Sequence, residues 1–219
     1  MAEHSYRVDP NHSSLRLVVI ISMAVALLLG LFGAPALLRG LGAQGAGLLL
    51  GAIIGIVLAA LAATVSERIL RGRWPSGRTL VVSDEAITLH EKTDSVTLRW
   101  DEGIDVWAWT FAIAGRRSWV PRGWLCVAMR LMHGDDAITP YAFMPPQHAR
   151  ELEGWNAFVE LIPRKEADGL DPALLASQEH LRGAEEERWW IGAEMEPDDF
   201  AELVGVVAGR VDHWPERRR

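Results

Sequence analysis

Few groupings in this 219-residue chain have the residue types and spacing to do chemistry. The densest is Gly115-Arg116-Arg117-Ser118-Trp119-Val120-Pro121-Arg122-Gly123-Trp124. It mixes arginine and tryptophan within an otherwise acidic region. Guanidinium groups pair with anionic oxygen and indoles supply flat apolar area, which suits a protein hot spot or lipid headgroups. Arg116, Arg117, Trp119, Arg122 and Trp124 are therefore the candidate interaction surface. The competing expectation is a hairpin tip whose tryptophans fold back on their own sheet.

Other groupings carry less. The histidines are His4, His12, His90, His133, His148, His180 and His213, and none pairs at i, i+4 with another ligand type. His133 with Asp135 and Asp136 is the closest cluster, and turn chemistry explains it. Glu102 and Asp105 could be drawn as an acid pair, but carboxylates in turns are ordinary. No Gly-x-Ser-x-Gly occurs. The Gly-rich stretch at 45–51 lacks the lysine of a phosphate loop. Cys126 is the single cysteine, so no intramolecular disulfide forms. Its apolar neighbours read as a buried strand rather than as the setting of a nucleophile. The expectation is no enzyme, no cofactor and no metal.

The elements that must position any site begin with two apolar runs. Residues 17–38 carry no charge, and 45–65 hold one polar residue after their start, Thr64. Some 22 residues at 1.5 Å each give roughly 33 Å, enough to cross a bilayer core of about 30 Å. Backbone polar groups in hydrocarbon must pair internally, so both runs should be helices. Residues 39–44 form a turn between them, giving an antiparallel hairpin. Ser22, Ala26, Gly30 and Ala34 line one helix at four-residue spacing. Gly47, Gly51, Gly55, Ala59 and Ala63 line the other. Such small stripes let helix backbones approach in lipid, so the helices should pack on each other, with homodimerisation the rival use. Arg68, Arg71, Arg73 and Arg78 follow the second run, whereas the turn holds only Arg39. The positive-inside rule then puts both termini in the cytoplasm and the turn outside. A cleavable signal in the first run, at Ala34-Pro35-Ala36, is the lesser alternative.

Charge divides at the end of this anchor. Residues 1–78 hold 7 basic and 3 acidic groups, and 79–219 hold 15 basic and 26 acidic groups. The acidic body excludes nucleic acid as partner, since its binding rests on phosphate neutralisation. It also excludes broad adhesion to an anionic leaflet.

After Pro75-Ser76-Gly77 the apolar period becomes two, which signals strands. The expected strands are 79–82, 86–90, 95–100, 104–113, 124–132 and 137–143, with a short edge strand at 119–121. A helix at 147–162 follows, with Leu152, Trp155, Val159 and Ile162 on one face. Trp107, Trp109 and Phe111 share one strand face while Val106, Ala108 and Ala112 share the other. Both faces of that strand therefore need cover, and the tail should supply the second. In the tail, Asp171-Pro172 opens a helix to Leu181, 188–195 reads as a strand, and Pro197 opens a second amphipathic helix. Glu185-Glu186-Glu187 reads as a solvated charge run. Ala142 to Pro146 parallels Ala193 to Pro197 at an offset of 51, a repeated strand–proline–helix unit that could extend the sheet.

Seven strands and an amphipathic helix are the element order of a pleckstrin-homology-like barrel. The chain resembles uncharacterised bacterial membrane proteins with a PH-like domain after two transmembrane helices, the YcxB-like and related groups. Residues 80–87, the stretch Leu98-Arg99-Trp100-Asp101-Glu102-Gly103-Ile104 and the closing helix carry the resemblance. Gly103 departs from it, standing where those proteins usually have a polar residue. Phosphoinositide binding is not implied, because the position of the basic lipid-binding loop holds Ser83-Asp84-Glu85.

The expected architecture is an α+β membrane protein. It comprises a polar lead (1–14), a transmembrane hairpin (15–74), a PH-like cytoplasmic domain (75–165) and a small α/β extension (166–219). The expected role is non-enzymatic binding or scaffolding at the membrane, with the bilayer and a protein partner or second copy as ligands. Alternatives are an immunity protein against a toxin, or an accessory subunit of a transporter.

Overall fold

The structure is a computed structural model that describes residues 3–9, 13–40, 48–73, 76–113, 120–167, 171–211 and 214. It divides into two compact units, Pro10–Ser76 and a second made of Met1–Asp9 with Gly77–Arg219.

In the first unit, α1 (Ser13–Leu28) continues through a π turn (Leu29–Gly33) into α2 (Ala34–Gly40), and α3 is Leu48–Arg73. Leu17–Leu37 and Leu49–Leu70 are each long and apolar enough to cross a membrane. The π turn has an identifiable cause. Pro35 has no N–H, so the Leu31 carbonyl loses the donor that an α-helix would supply, and the helix widens just before the proline.

The small residues lie where the helices meet. Gly30, Gly51, Gly55 and Ala59 are buried, and Ser22, Ala26, Ala34 and Ala63 are half-buried. Large side chains such as Leu29, Phe32 and Ile56 are exposed. The glycines are required by close approach. A Cβ on Gly30 would sit 2.2 Å from Gly55 Cα, and one on Gly51 would sit 2.7 Å from the Leu31 carbonyl oxygen. Gly47 and most of the turn lie outside the described residues.

The second unit starts earlier than the sequence reading expects. Instead of a polar lead, His4–Arg7 forms strand β1, paired antiparallel with β2 (Thr79–Val82) from His4↔Val82 to Arg7↔Thr79. Tyr6 and Val8 supply the apolar contacts of this segment, and both are buried. β3 (Ala86–His90) and β4 (Ser95–Arg99) complete a sheet ordered β1-β2-β3-β4.

β5 (Asp105–Ala112), β6 (Leu125–His133), β7 (Asp136–Ile138) and β8 (Pro140–Met144) build a second sheet. The expected barrel is thus two open sheets. They share one buried cluster that includes Leu80, Ile87 and Leu98 from the first and Val127, Met129 and Leu131 from the second.

The expected helix at 147–162 is not formed. α4 spans only Pro146–Arg150, and Gly154 then takes a left-handed backbone, φ 66. A Cβ there would meet Trp214 Nε1 at 2.4 Å, so glycine is needed both for the turn and for the ring. Beyond it, β9 (Val159–Glu160) pairs parallel with β5. The amphipathic helix seated in the shared core is instead α6 (Pro197–Ala208), through Phe200, Leu203, Val204 and Val207.

The tail is integral to this unit. β10 (Ala193–Glu194) pairs parallel with β8, so the repeated strand–proline–helix unit does extend the sheet. α5 runs Pro172–Ile191, opened by Asp171, whose side chain accepts from the Ala173 N–H at 2.8 Å. It replaces the start of the strand expected at 188–195. The reason is local. Glu185 and Arg188, one turn apart, form a two-bond ion pair at 2.7 and 2.6 Å, and Trp109 Nε1 donates to Glu185 at 3.1 Å. Glu185 therefore faces inward and is not part of a solvated run. Arg188 is 2% exposed and lies 4.3 Å from the centroid of the Tyr141 ring.

α5 covers the second face of β5, as the two-faced strand requires: Trp109 packs with Leu181 and Ala184. It also covers the β9 edge. Gln178 donates to the Glu160 carbonyl at 3.0 Å and accepts from the Ile162 N–H at 2.8 Å. These bonds pair main-chain groups that an edge strand would otherwise expose.

Two outcomes follow from this packing. Gly30→Leu lowers the unfolding midpoint of the detergent-solubilised protein in SDS, because the helix backbones must separate. Gly33→Leu leaves it unchanged, because a Cβ at Gly33 meets nothing within 4 Å. The second outcome concerns the chain's two tyrosines, Tyr6 and Tyr141. Burial, reinforced by the charge of Glu202, pushes Tyr6 up to about 12. Burial, reinforced by Glu194, pushes Tyr141 well above the usual phenol range. Both phenols hold their protons in the folded state after the unfolded chain has released them. Stability is then fully present below about pH 10 and is lost as pH rises above it. Ultraviolet titration of the native protein should show neither phenolate at pH 10.5, and denatured protein should show both.

Candidate functional site

A recess in the second unit lies between the outer face of the β5–β6 sheet and α5. It is a largely open recess of about 590 Å³, lined by residues that include Trp107, Arg130, Met132, His180, Gly183 and Glu187. Strand alternation places Trp107 on the face opposite Val106 and Ala108, which enter the shared core. Arg130 is the register partner of Trp107 on β6, so the two side chains leave the sheet together. Helix periodicity brings Ala176, Glu179, His180, Gly183 and Glu187 along one face of α5 to form the opposing wall.

The chemistry of this recess is mixed. The Trp107 and His180 rings meet edge to face with centroids 5.8 Å apart. Arg130 is paired to Glu187, and its Nε has no hydrogen-bond partner among the described residues. Glu179 pairs with Arg182 at 2.5 Å, and both rim carboxylates remain more than half exposed. An aromatic floor beneath a carboxylate rim suits a cationic or aromatic side chain of a peptide ligand.

Gly183 is the residue that shapes the cleft. It sits within the 20-residue α5 and has no positive φ. A Cβ there meets nothing within 4 Å, so neither packing nor backbone geometry demands glycine. Glycine in a helix interior costs about 1 kcal/mol relative to alanine. What its missing side chain leaves is open space in the cleft.

The sequence-level candidate surface comes through only in part. Arg116, Arg117 and Trp119 lie outside the described residues. Arg122 is exposed, whereas Trp124 is half-buried and packs against Ile113, Val120, Cys126 and Phe143. Trp124 therefore folds back on the sheet. Cys126 is fully buried. His133 turns away from the aspartates of its own turn, with Nδ1 3.2 Å from the Gly103 carbonyl oxygen and Nε2 3.9 Å from Glu102.

The acidic turn at 83–85 is occupied from within. Arg210 bonds the Ser83 carbonyl and reaches Asp84 at 2.9 Å, with its guanidinium 5.5 Å from the centroid of the Trp100 ring. Among the described residues no three His, Cys, Asp or Glu side chains come together in a way that could hold a metal ion.

Sequence reasoning missed the Trp107–Gly183 cleft because it ended the helix at Leu181 and treated Glu185-Glu186-Glu187 as a solvated run. The available signal was a glycine inside an otherwise strong helical pattern, opposite a strand with two apolar faces. Compared with protein-family models, with curated proteins and with solved structures, the chain matches none.

Proposed function

We propose that the chain is a membrane-anchored, non-enzymatic binding module that holds a protein partner in the Trp107–Gly183 cleft. The observation that carries this reading is the recess beside Trp107, into which Gly183 of α5 puts no side chain although alanine would favour the helix. The acidic body favours a partner segment with basic side chains.

Anchoring follows from the two apolar helices, which lie between β1 and β2 in the sequence. Because Arg7 and Thr79 are register partners, the chain leaves the second unit and re-enters it on neighbouring strands. A membrane-inserted hairpin then crosses an even number of times and leaves the whole second unit on one side. The arginines after the second span favour the cytoplasmic side of a bacterial inner membrane. The element order of two apolar helices, antiparallel strands and a core-seated helix α6 supports a distant likeness to the YcxB-like, PH-like membrane proteins.

Gly183→Leu fills the cleft while improving helix propensity, so it separates binding from folding. Affinity purification of the full chain from its native membrane in mild detergent, with mass spectrometry, should recover a stoichiometric partner. The Gly183→Leu chain should keep or raise its melting temperature and lose that partner at least tenfold. A partner retained equally by the variant would move the site elsewhere, and a wild-type chain recovered without a partner would overturn the reading. A toxin or a permease as the partner would make the chain an immunity protein or a transporter subunit.

A further inference from the structure

We propose that the C-terminal end of α5 is a second membrane contact, in which Trp189, Trp190 and Ile191 enter the headgroup region of the bilayer that holds the hairpin. The inference rests on the membrane anchoring proposed above. Outside the two apolar helices, four large apolar side chains are exposed among the described residues: Leu174, Trp189, Trp190 and Ile191. Three of the four are consecutive, at 58%, 82% and 51% exposure. Arg188 and Gly192 on either side are buried, so the patch is held on a fixed end of the helix.

Position gives the patch its occupant. Arg78 donates to the Ile191 carbonyl at 3.0 Å and to the Gly192 carbonyl at 3.1 Å. The same guanidinium holds Asp9 at 2.6 Å, and Asp9 accepts from the Glu194 N–H at 3.0 Å. Asp9 and Arg78 flank the apolar insertion. Arg78 lies five positions beyond Arg73, the end of α3, and Asp9 lies four positions before Ser13, the start of α1. At about 3.6 Å per residue, those segments reach no more than about 18 and 14 Å. The last carbonyl of the patch is thus bonded to Arg78, which with its partner Asp9 flanks the apolar insertion in the chain.

Residue type agrees with that place. Tryptophan concentrates at membrane interfaces because its ring is apolar and its N–H seeks a polar partner. Two exposed indoles beside an isoleucine would be unfavourable in water and find both solvents at the headgroup level. The acidic body does not oppose this contact, which depends on apolar area rather than on anionic lipid.

The test uses the full chain in phosphatidylcholine vesicles, in a Cys126→Ala background, with bimane attached at a single introduced thiol. Trp190→Cys carries the probe at the patch, Asp135→Cys carries it on an exposed turn, and Leu27→Cys carries it within the first apolar helix. A lipid with a doxyl group near the top of its acyl chain should quench the probe at 190 at least twofold more than the probe at 135. Equal quenching at 190 and 135, with strong quenching at 27, would overturn the interfacial contact and leave the anchoring intact. Absence of quenching at 27 as well would overturn the anchoring itself. A probe at 190 shielded from aqueous iodide but not quenched by doxyl lipid would mean a protein covers the patch, again overturning the proposal.

Discussion

One ion pair, between Arg78 and Asp9, joins the two segments of the second unit that flank the apolar insertion. Arg78 and Asp9 are roughly four-fifths buried, and their side chains meet at 2.6 Å. Arg78 also pairs with Glu91 at 2.7 Å and takes the last carbonyls of α5. A cation at a helix C-terminus is favourable in its own right, since unpaired carbonyls accumulate there. Asp9 adopts a left-handed backbone, φ 56, and exchanges main-chain and side-chain bonds with Glu194. Removing one member of a buried pair strands the other charge, at a cost of about 3–5 kcal/mol when burial is complete. The β1–β2 pairing, the position of α5 and the β10 strand all depend on this pair.

That dependence explains why the tail is not an appendage. β10 is two residues long, too short to persist by its pairing with β8 alone. It is held by Asp9 on one side and by Tyr141 on the other, where the phenol donates to Glu194 at 3.4 Å. α5 then follows from the need to cover the outer face of β5, and α6 from the need to fill the core between the sheets. The cleft at Trp107 lies beside the covered face, with Gly183 of α5 among its lining residues.

Much of this was legible in the sequence wherever one periodicity held. The hairpin was visible from uncharged length. The strands β2, β3 and β4 were visible from alternation, and the start of α6 from Pro197. The two-faced composition of β5 correctly demanded cover from the tail. Elsewhere the residues sent mixed signals. Leu152, Trp155, Val159 and Ile162 have helical spacing, yet Gly154 and the partner ring Trp214 turn the chain into a short strand. Arg188-Trp189-Trp190-Ile191 looks strand-like by composition, but the buried Glu185–Arg188 pair keeps it helical. The lead at 3–9 is too short to show a period. Its strand depends on a partner more than 70 residues away and on an ion pair formed only in the fold.

The central claim is that the β1–β2 pair clasps a membrane hairpin and keeps both flanks on one side. It is tested most directly by thiol labelling with a membrane-impermeant maleimide, on Cys126→Ala protein in sealed vesicles of known orientation. Glu3→Cys lies ahead of the insertion and Asp135→Cys well beyond it, and both positions are exposed. The account predicts that both react from the same face and are protected together from the other. Labelling from opposite faces would mean an odd number of crossings, which the β1–β2 pairing does not allow, and would contradict the account.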